Sequence, residues 1–369
     1  MYKRNLFFAV LAFAVISGCV RKEEEIRIGA ILSLTGTAAQ WGTPPRDAAL
    51  MAVDELNTRG GIKGRRIKLE IEDDQCEPAK GTLALQKMLT TGKPIAILGA
   101  ICSSVSLAIA PLVEQNRVVM ISPASTNPLL TDAGDYVFRV IPTDALRGKV
   151  FAEYVYSIGI RKVCMVYINN EGGAGNQKTF AENFKKLGGA ILSVEAYAQE
   201  SRDMRAQLTK AKKEKPDALV IVSYPDDTPL VLRQAQELRV NVPLFFQTEA
   251  LEDPSVIQKA GNAAEGATYI LPAKARGASV DSFSSRYKQR YARDPELYAA
   301  EGYDVIMLIA KILEESESIS SEAIKAGLYR IKWYEAASGS ITFDENGDVI
   351  KPMAVKKIIA GRPEVVLER

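Results

Sequence analysis

Leu98-Gly99-Ala100-Ile101-Cys102-Ser103-Ser104, an apolar helical run, and then Val118-Val119-Met120-Ile121-Ser122-Pro123-Ala124-Ser125-Thr126 form the stretch around which the chain is organised. Two buried strands, Pro94–Leu98 and Val118–Ile121, each end in a loop of small hydroxyl residues. The first loop runs directly into a helix from Ser104 to about Asn116. Ligands of an open parallel sheet sit beyond the carboxyl ends of its strands. A helix start at that place offers unpaired backbone N–H groups and the positive end of a dipole. Ser103, Ser104, Ser125 and Thr126 add hydroxyl donors, which makes a socket for a small anion, most simply a carboxylate. The plainer reading is that Ser104 only caps its helix and Ser-Pro only turns the chain.

The chain of 369 residues, with ordinary globular composition, is long enough for about two domains. Lys and Arg number 47 against 45 Asp and Glu, and no basic block stands out, so nucleic acid is not an expected partner. The histidine count of 0 removes Ser-His-Asp and Cys-His catalysis and most zinc sites. The expectation is a protein without catalytic residues, cofactor or metal.

Residues 1–19 read as a processing segment. Lys3 and Arg4 precede the apolar run Leu6 to Ile16, which is too short to span a bilayer. Ile16-Ser17-Gly18-Cys19 resembles a bacterial lipobox, with Cys19 as the lipidated residue. An anchor there holds a protein on a bacterial membrane, on its periplasmic or cell-surface side, without a spanning helix. Residues 20–25 read as a polar tether. Export implies an oxidising compartment. Cys76 and Cys102 both follow strand ends and can meet there, whereas Cys164 lies inside an apolar strand and reads as a buried thiol.

Outward from the socket, strands alternate with helices, which means parallel sheets. Strand Ile26–Leu34 runs into a glycine-bounded loop carrying Trp41, an indole that either walls a pocket or packs on its own lobe. Pro44-Pro45 suits a helix start. Strands Ile67–Glu72 and Tyr136–Val140 complete the first half. At Asp144 the pattern begins again: strand Lys162–Ile168, a flexible loop from Asn169 through Gly172 to Gly175, a helix from Gln177, and strands Ile191–Tyr197, Ala218–Ser223, Leu244–Gln247 and Ala267–Leu271. Tyr224 follows the third of these strands and Glu249 the fourth. Two long helices then precede a predicted hairpin over 339–350 turning at Asn346-Gly347, and Met353–Ile359 is read as the last strand.

The mature chain, nearly end to end, resembles the leucine/isoleucine/valine-binding-protein family of type I periplasmic-binding-fold proteins, the receptors of amino-acid ABC transporters. The matching phrases are Ile28-Gly-Ala-Ile-Leu-Ser-Leu-Thr-Gly36, Gly60-Gly-Ile-Lys-Gly64, Asp73-Asp-Gln-Cys-Glu-Pro78, Cys102-Ser103-Ser104, Ser122-Pro-Ala-Ser-Thr126 and Phe343-Asp-Glu-Asn-Gly-Asp348. The resemblance implies an α/β fold of two Rossmann-like lobes joined by a three-segment hinge, with lobe one at 26–143 and 273–350 and lobe two at 144–272 and 351–369. It implies that Cys76 pairs with Cys102. It places a ligand α-carboxylate on Ser103, Ala124 and Thr126, a side-chain wall at Trp41, and Tyr224 and Glu249 reaching across from lobe two, with Glu249 on the ligand ammonium. The chain departs from the family at Gly172, where a tyrosine is usual, so a larger, aromatic or polar ligand side chain fits the expectation as well as a branched one. The function implied is capture of an amino acid and its delivery to an ABC permease. A sensor of the same fold, or a binder of an aromatic acid, urea or an amide, is the alternative.

Overall fold

The structure is a computed structural model that describes residues 25–369; the processing segment, Cys19 and most of the tether lie outside the described residues. The first sheet begins with β1 (Ile26–Leu32), buried at nearly every position, as a strand covered on both faces must be. It is followed by α1 (Ala39–Thr58), β2 (Ile67–Asp73), α2 (Pro78–Gly92), β3 (Ala96–Gly99), α3 (Ser103–Asn116), β4 (Val119–Ser122) and β5 (Val137–Arg139). The strands pair in parallel in the order β2-β1-β3-β4-β5. The winding reverses between β1 and β3, and the crevice at that reversal is where an α/β sheet binds its ligand.

The second half contains α4 (Asp144–Ser157), β6 (Lys162–Ile168), α5 (Glu171–Lys186), β7 (Ala190–Tyr197), α6 (Arg205–Lys213), β8 (Ala218–Val222), α7 (Thr228–Glu237), β9 (Leu244–Phe246), α8 (Pro254–Ala260) and β10 (Thr268–Pro272). Then come α9 (Ala278–Tyr291), α10 (Ala299–Glu315), α11 (Ser321–Arg330), the short pair β11 (Tyr334–Ala336) and β12 (Gly339–Ile341), and finally β13 (Met353–Ile359) and β14 (Arg362–Glu368). The second sheet has the order β14-β13-β10-β9-β8-β6-β7, with its reversal between β6 and β8. Helix α10 packs along α1 and α11 packs beside β4, so the chain returns to the first lobe after β10 and crosses back before β13.

Four local expectations are corrected. Helix α1 starts at Ala39, not at the prolines, so Trp41 stands in the first turn of a helix and not in a loop. Helix α5 starts at Glu171, not Gln177: the Asn170 side chain accepts from the Gly173 N–H at 2.8 Å and caps a glycine-rich first turn. Gly173 is required there, because a Cβ would lie 1.9 Å from the Ile168 carbonyl oxygen. The hairpin over 339–350 is reduced to one bridge, Phe343 to Val349, because the Asp344 carboxylate takes the N–H groups of Asn346 and Asp348. The regular hairpin lies earlier, between β11 and β12. Last, β13 is not the end of the sheet. A two-residue turn at Ala360-Gly361, both with positive φ, leads into β14, an exposed edge strand with little of the inside-outside alternation that marks a strand in sequence.

Candidate functional site

The reversals of the two sheets face each other. On the lobe-one side, Cys102 and Cys76 are joined by a disulfide with Cα atoms 5.5 Å apart, which ties the end of β3 to the loop after β2. Ser103 opens α3, and its Oγ accepts from the backbone N–H groups of Thr126 at 3.3 Å and Asn127 at 3.2 Å. One side chain thus locks the two hydroxyl loops together and keeps its own proton free to donate. Cys102 occupies the N-cap position, and the Ser104 hydroxyl makes no capping bond. Ser104 Oγ is buried with no hydrogen-bond partner among the described residues. The capping role for Ser104 is therefore set aside.

Ser125 is different. Its hydroxyl donates toward the Ala100 and Ile101 carbonyls at 3.0 and 3.1 Å and shares a 2.7 Å bond with Ser106 Oγ. Fully buried, it braces the floor of the socket and does not line it, which corrects its expected place among the ligand contacts. Ala124 and Thr126 are buried at the loop, and the Thr126 carbonyl accepts from the Asp144 N–H at 2.7 Å, at the start of α4.

The lobes meet over this socket. Trp41 and Tyr224 touch edge to face with ring centroids 4.8 Å apart, and Tyr298 flanks Trp41 at 6.2 Å. Trp41 therefore does not pack on its own lobe alone. Its Nε1 is buried without a partner among the described residues. The Tyr224 hydroxyl donates to Asn170 Oδ1 at 3.3 Å. It also lies 2.6 Å from where a Cβ at Gly172 would stand. The room left by the missing side chain at Gly172 is thus taken up by Tyr224. Asn127 Nδ2 donates to the Glu171 carbonyl at 2.5 Å, a further bond between the lobes.

Charge enters from lobe two. Glu249 follows β9, and its Oε2 lies 2.7 Å from Arg147 Nη1, both side chains being 2% exposed. Arg147 Nε lies 3.8 Å from Asp144 Oδ1, one turn earlier on α4. Asp144 is fully buried; its Oδ2 accepts from Asn176 Nδ2 at 2.8 Å, and its Oδ1 has no hydrogen-bond partner among the described residues. Burial pushes the Asp144 carboxyl up to about 6, with the Arg147 guanidinium opposing that rise. Burial works against the Arg147 charge, yet the carboxylates of Glu249 and Asp144 hold its pKa above the ordinary value.

Arg147 is the residue that sequence reasoning missed. Its three-residue spacing from Asp144 was the available signal, and on an amphipathic helix such a pair reads as an exposed ion pair. The cluster carries two carboxylates and one guanidinium, a surplus of one negative charge when all are ionised. It suits a cation such as an ammonium group, while the socket opposite offers neutral donors suited to a carboxylate.

Residues 25–362 match the family model described as periplasmic binding protein. The chain is 26% identical over 350 residues to the leucine-, isoleucine-, valine-, threonine- and alanine-binding protein of Pseudomonas aeruginosa, covering 93% of this chain and 92% of that protein. Among solved structures it is similar to a leucine-binding protein from Thermotoga maritima (TM-score 0.87, 29% identity, 93% of this chain and 98% of that one). It is also similar to a branched-chain amino acid transporter substrate-binding protein from Streptococcus pneumoniae in complex with isoleucine (TM-score 0.83, 26% identity, 94% and 100% covered). These relatives are substrate-binding proteins and not enzymes. With two wound sheets facing across a buried cleft, and the family matched from Glu25 to Arg362, the chain belongs to the periplasmic binding protein family.

Proposed function

We infer that this chain is an extracytoplasmic solute-binding lipoprotein, anchored through Cys19, that captures an amino acid between its lobes and delivers it to an ABC transporter permease. The observation that carries this reading is the division of chemistry across the cleft. Neutral hydroxyl and N–H donors stand on lobe one, and a buried cluster with surplus negative charge stands on lobe two. A zwitterion is held at both ends only when the lobes meet, so its binding energy favours the closed form.

In this reading Ser103, Ala124 and Thr126 hold the carboxylate, with Ser104 as an added donor, and Glu249 with Asp144 holds the ammonium. Trp41 and Tyr224 enclose the side chain. Lobe one comprises 26–143 and 273–350, and lobe two 144–272 and 351–369, with hinge crossings near Thr143, Pro272 and Lys351. The relatives' ligands, branched and small amino acids, support the class of ligand.

The Arg147–Glu249 ion pair favours a second reading, in which the internal guanidinium takes the place of a ligand ammonium and the ligand is an acid without an amine. A thermal-shift screen of the chain beginning after Cys19, against the twenty common amino acids, aromatic acids, urea and short amides, separates the two. A ligand that binds only the folded protein raises the melting temperature as its concentration passes the dissociation constant. A shift with amino acids supports the first reading. A shift with amine-free acids alone replaces it by the second.

A further inference from the structure

The lobe-two cluster holds more unpaired polar atoms than an ammonium group can use. Arg147 Nε and Nη2 are buried donors with no hydrogen-bond partner among the described residues. Two buried acceptors on residues bonded into the same cluster, Asn176 Oδ1 and Gln247 Oε1, are also without a partner among the described residues. The four residues Asp144, Arg147, Asn176 and Gln247 are one connected unit. Arg147 Nη1 donates to the Gln247 carbonyl at 3.4 Å, Gln247 Nε2 to the Asn176 carbonyl at 2.8 Å, and Asn176 Nδ2 to Asp144 Oδ2 at 2.8 Å. Both amide orientations are fixed, since each NH2 group faces two acceptors: Asp144 Oδ2 and the Gly172 carbonyl for Asn176, the Asn176 carbonyl and Thr179 Oγ1 for Gln247. The free atoms are therefore donors on one residue and acceptors on two others.

Leaving buried donors and acceptors unpaired costs free energy for each group. An aliphatic ligand side chain would leave all of them unpaired. A carboxylate would satisfy Arg147, but it would add a third carboxylate beside Asp144 and Glu249, where acidic groups already outnumber the one guanidinium. A carboxamide supplies what is missing on both sides, an acceptor oxygen for the guanidinium and an NH2 group for the amide oxygens. We propose that Arg147, with Asn176 and Gln247, reads a neutral carboxamide on the ligand side chain, so that the receptor prefers amino acids of the glutamine and asparagine class over aliphatic ones. This rests on the amino-acid reading above and narrows it.

The test is calorimetry on the chain beginning after Cys19 with glutamine, asparagine, glutamate, leucine and norleucine. The wild-type protein is expected to bind glutamine or asparagine at least about tenfold more tightly than norleucine, and glutamate more weakly than glutamine. Arg147→Met, which also removes the partner of Glu249, is expected to erase that preference by weakening the carboxamide ligand at least about tenfold more than it weakens norleucine. The Arg147→Lys variant keeps the charge and loses the planar fork, and it should lie between. If Arg147→Met does not fold, the wild-type ranking decides alone. Tighter binding of leucine or norleucine than of either amide overturns the carboxamide assignment and leaves the amino-acid reading standing. Binding of no amino acid at all overturns both.

Discussion

The two sides of the cleft are built of different materials. Lobe one presents neutral donors held by backbone geometry: the start of α3, the Ser103 bond to two N–H groups, and a disulfide behind them. Lobe two presents ionised side chains held by one another, Glu249 against Arg147 and Arg147 against Asp144. The donors of the first half are hydroxyl and backbone N–H groups, which carry no charge to titrate. The second depends on long side chains and on protonation, since a buried charge is tolerated only with its partners in place. The difference teaches where specificity can vary: the hydroxyl socket suits any α-carboxylate, and the charged cluster can be retuned by one substitution.

The comparison yields predictions of decreasing size. Reduction of Cys76–Cys102, which closes a separation of 26 residues, should cost about 3 kcal/mol of stability in the chain-entropy model, read as a lower urea midpoint. No change in the midpoint would show that lobe one is not pinned by the bridge. Glu249→Gln should weaken an amino acid by about 2 kcal/mol, roughly thirtyfold, and its deaminated analogue far less. Equal losses would remove the ammonium from lobe two. Ser103→Ala should cost an amino acid about 1 kcal/mol and its amide derivative almost nothing, which isolates the carboxylate half.

An effect of similar size, set by pH, follows from Asp144. Its carboxyl is raised to about 6 by burial, so the folded protein holds that proton more tightly than the unfolded chain does. Its contribution to folding is therefore present below the ordinary value of 3.8 and is lost as pH rises through about 6. Asp144→Asn should stabilise the ligand-free protein by ~1–2 kcal/mol near neutral pH, with the gain fading toward ~pH 4. Ligand affinity should move the other way in the wild type. Acidification below about 6 protonates Asp144 and weakens its hold on an ammonium, an effect that titration calorimetry across that range reads directly.

Much of lobe one was legible in the sequence because its site is made of local features. Strand ends, small hydroxyl residues and a helix start follow one another directly from Leu98 to Thr126. Even there Ser125 misled, since a hydroxyl that braces a loop and one that faces a ligand look alike until the Ala100 and Ile101 carbonyls are located. Trp41 and Asn170 show the limit for helix boundaries: a cap or an early turn overrode the signals of Pro44-Pro45 and of the glycine run. Lobe two was legible only where the resemblance supplied Tyr224 and Glu249. Arg147 sits about a hundred residues from Glu249, and no period or motif links them; only the folding of α4 against the end of β9 does. Strand β14 was hidden because an edge strand buries almost nothing and so carries no alternation.

The most direct measurement of the central claim compares, on the wild-type chain beginning after Cys19, the best-binding amino acid with its deaminated acid and with its α-amide by calorimetry. A cleft that closes on a zwitterion predicts that removing either charge weakens binding by at least about thirtyfold. A deaminated acid that binds as tightly as the parent amino acid would contradict it, and would assign the Glu249 carboxylate to Arg147 alone.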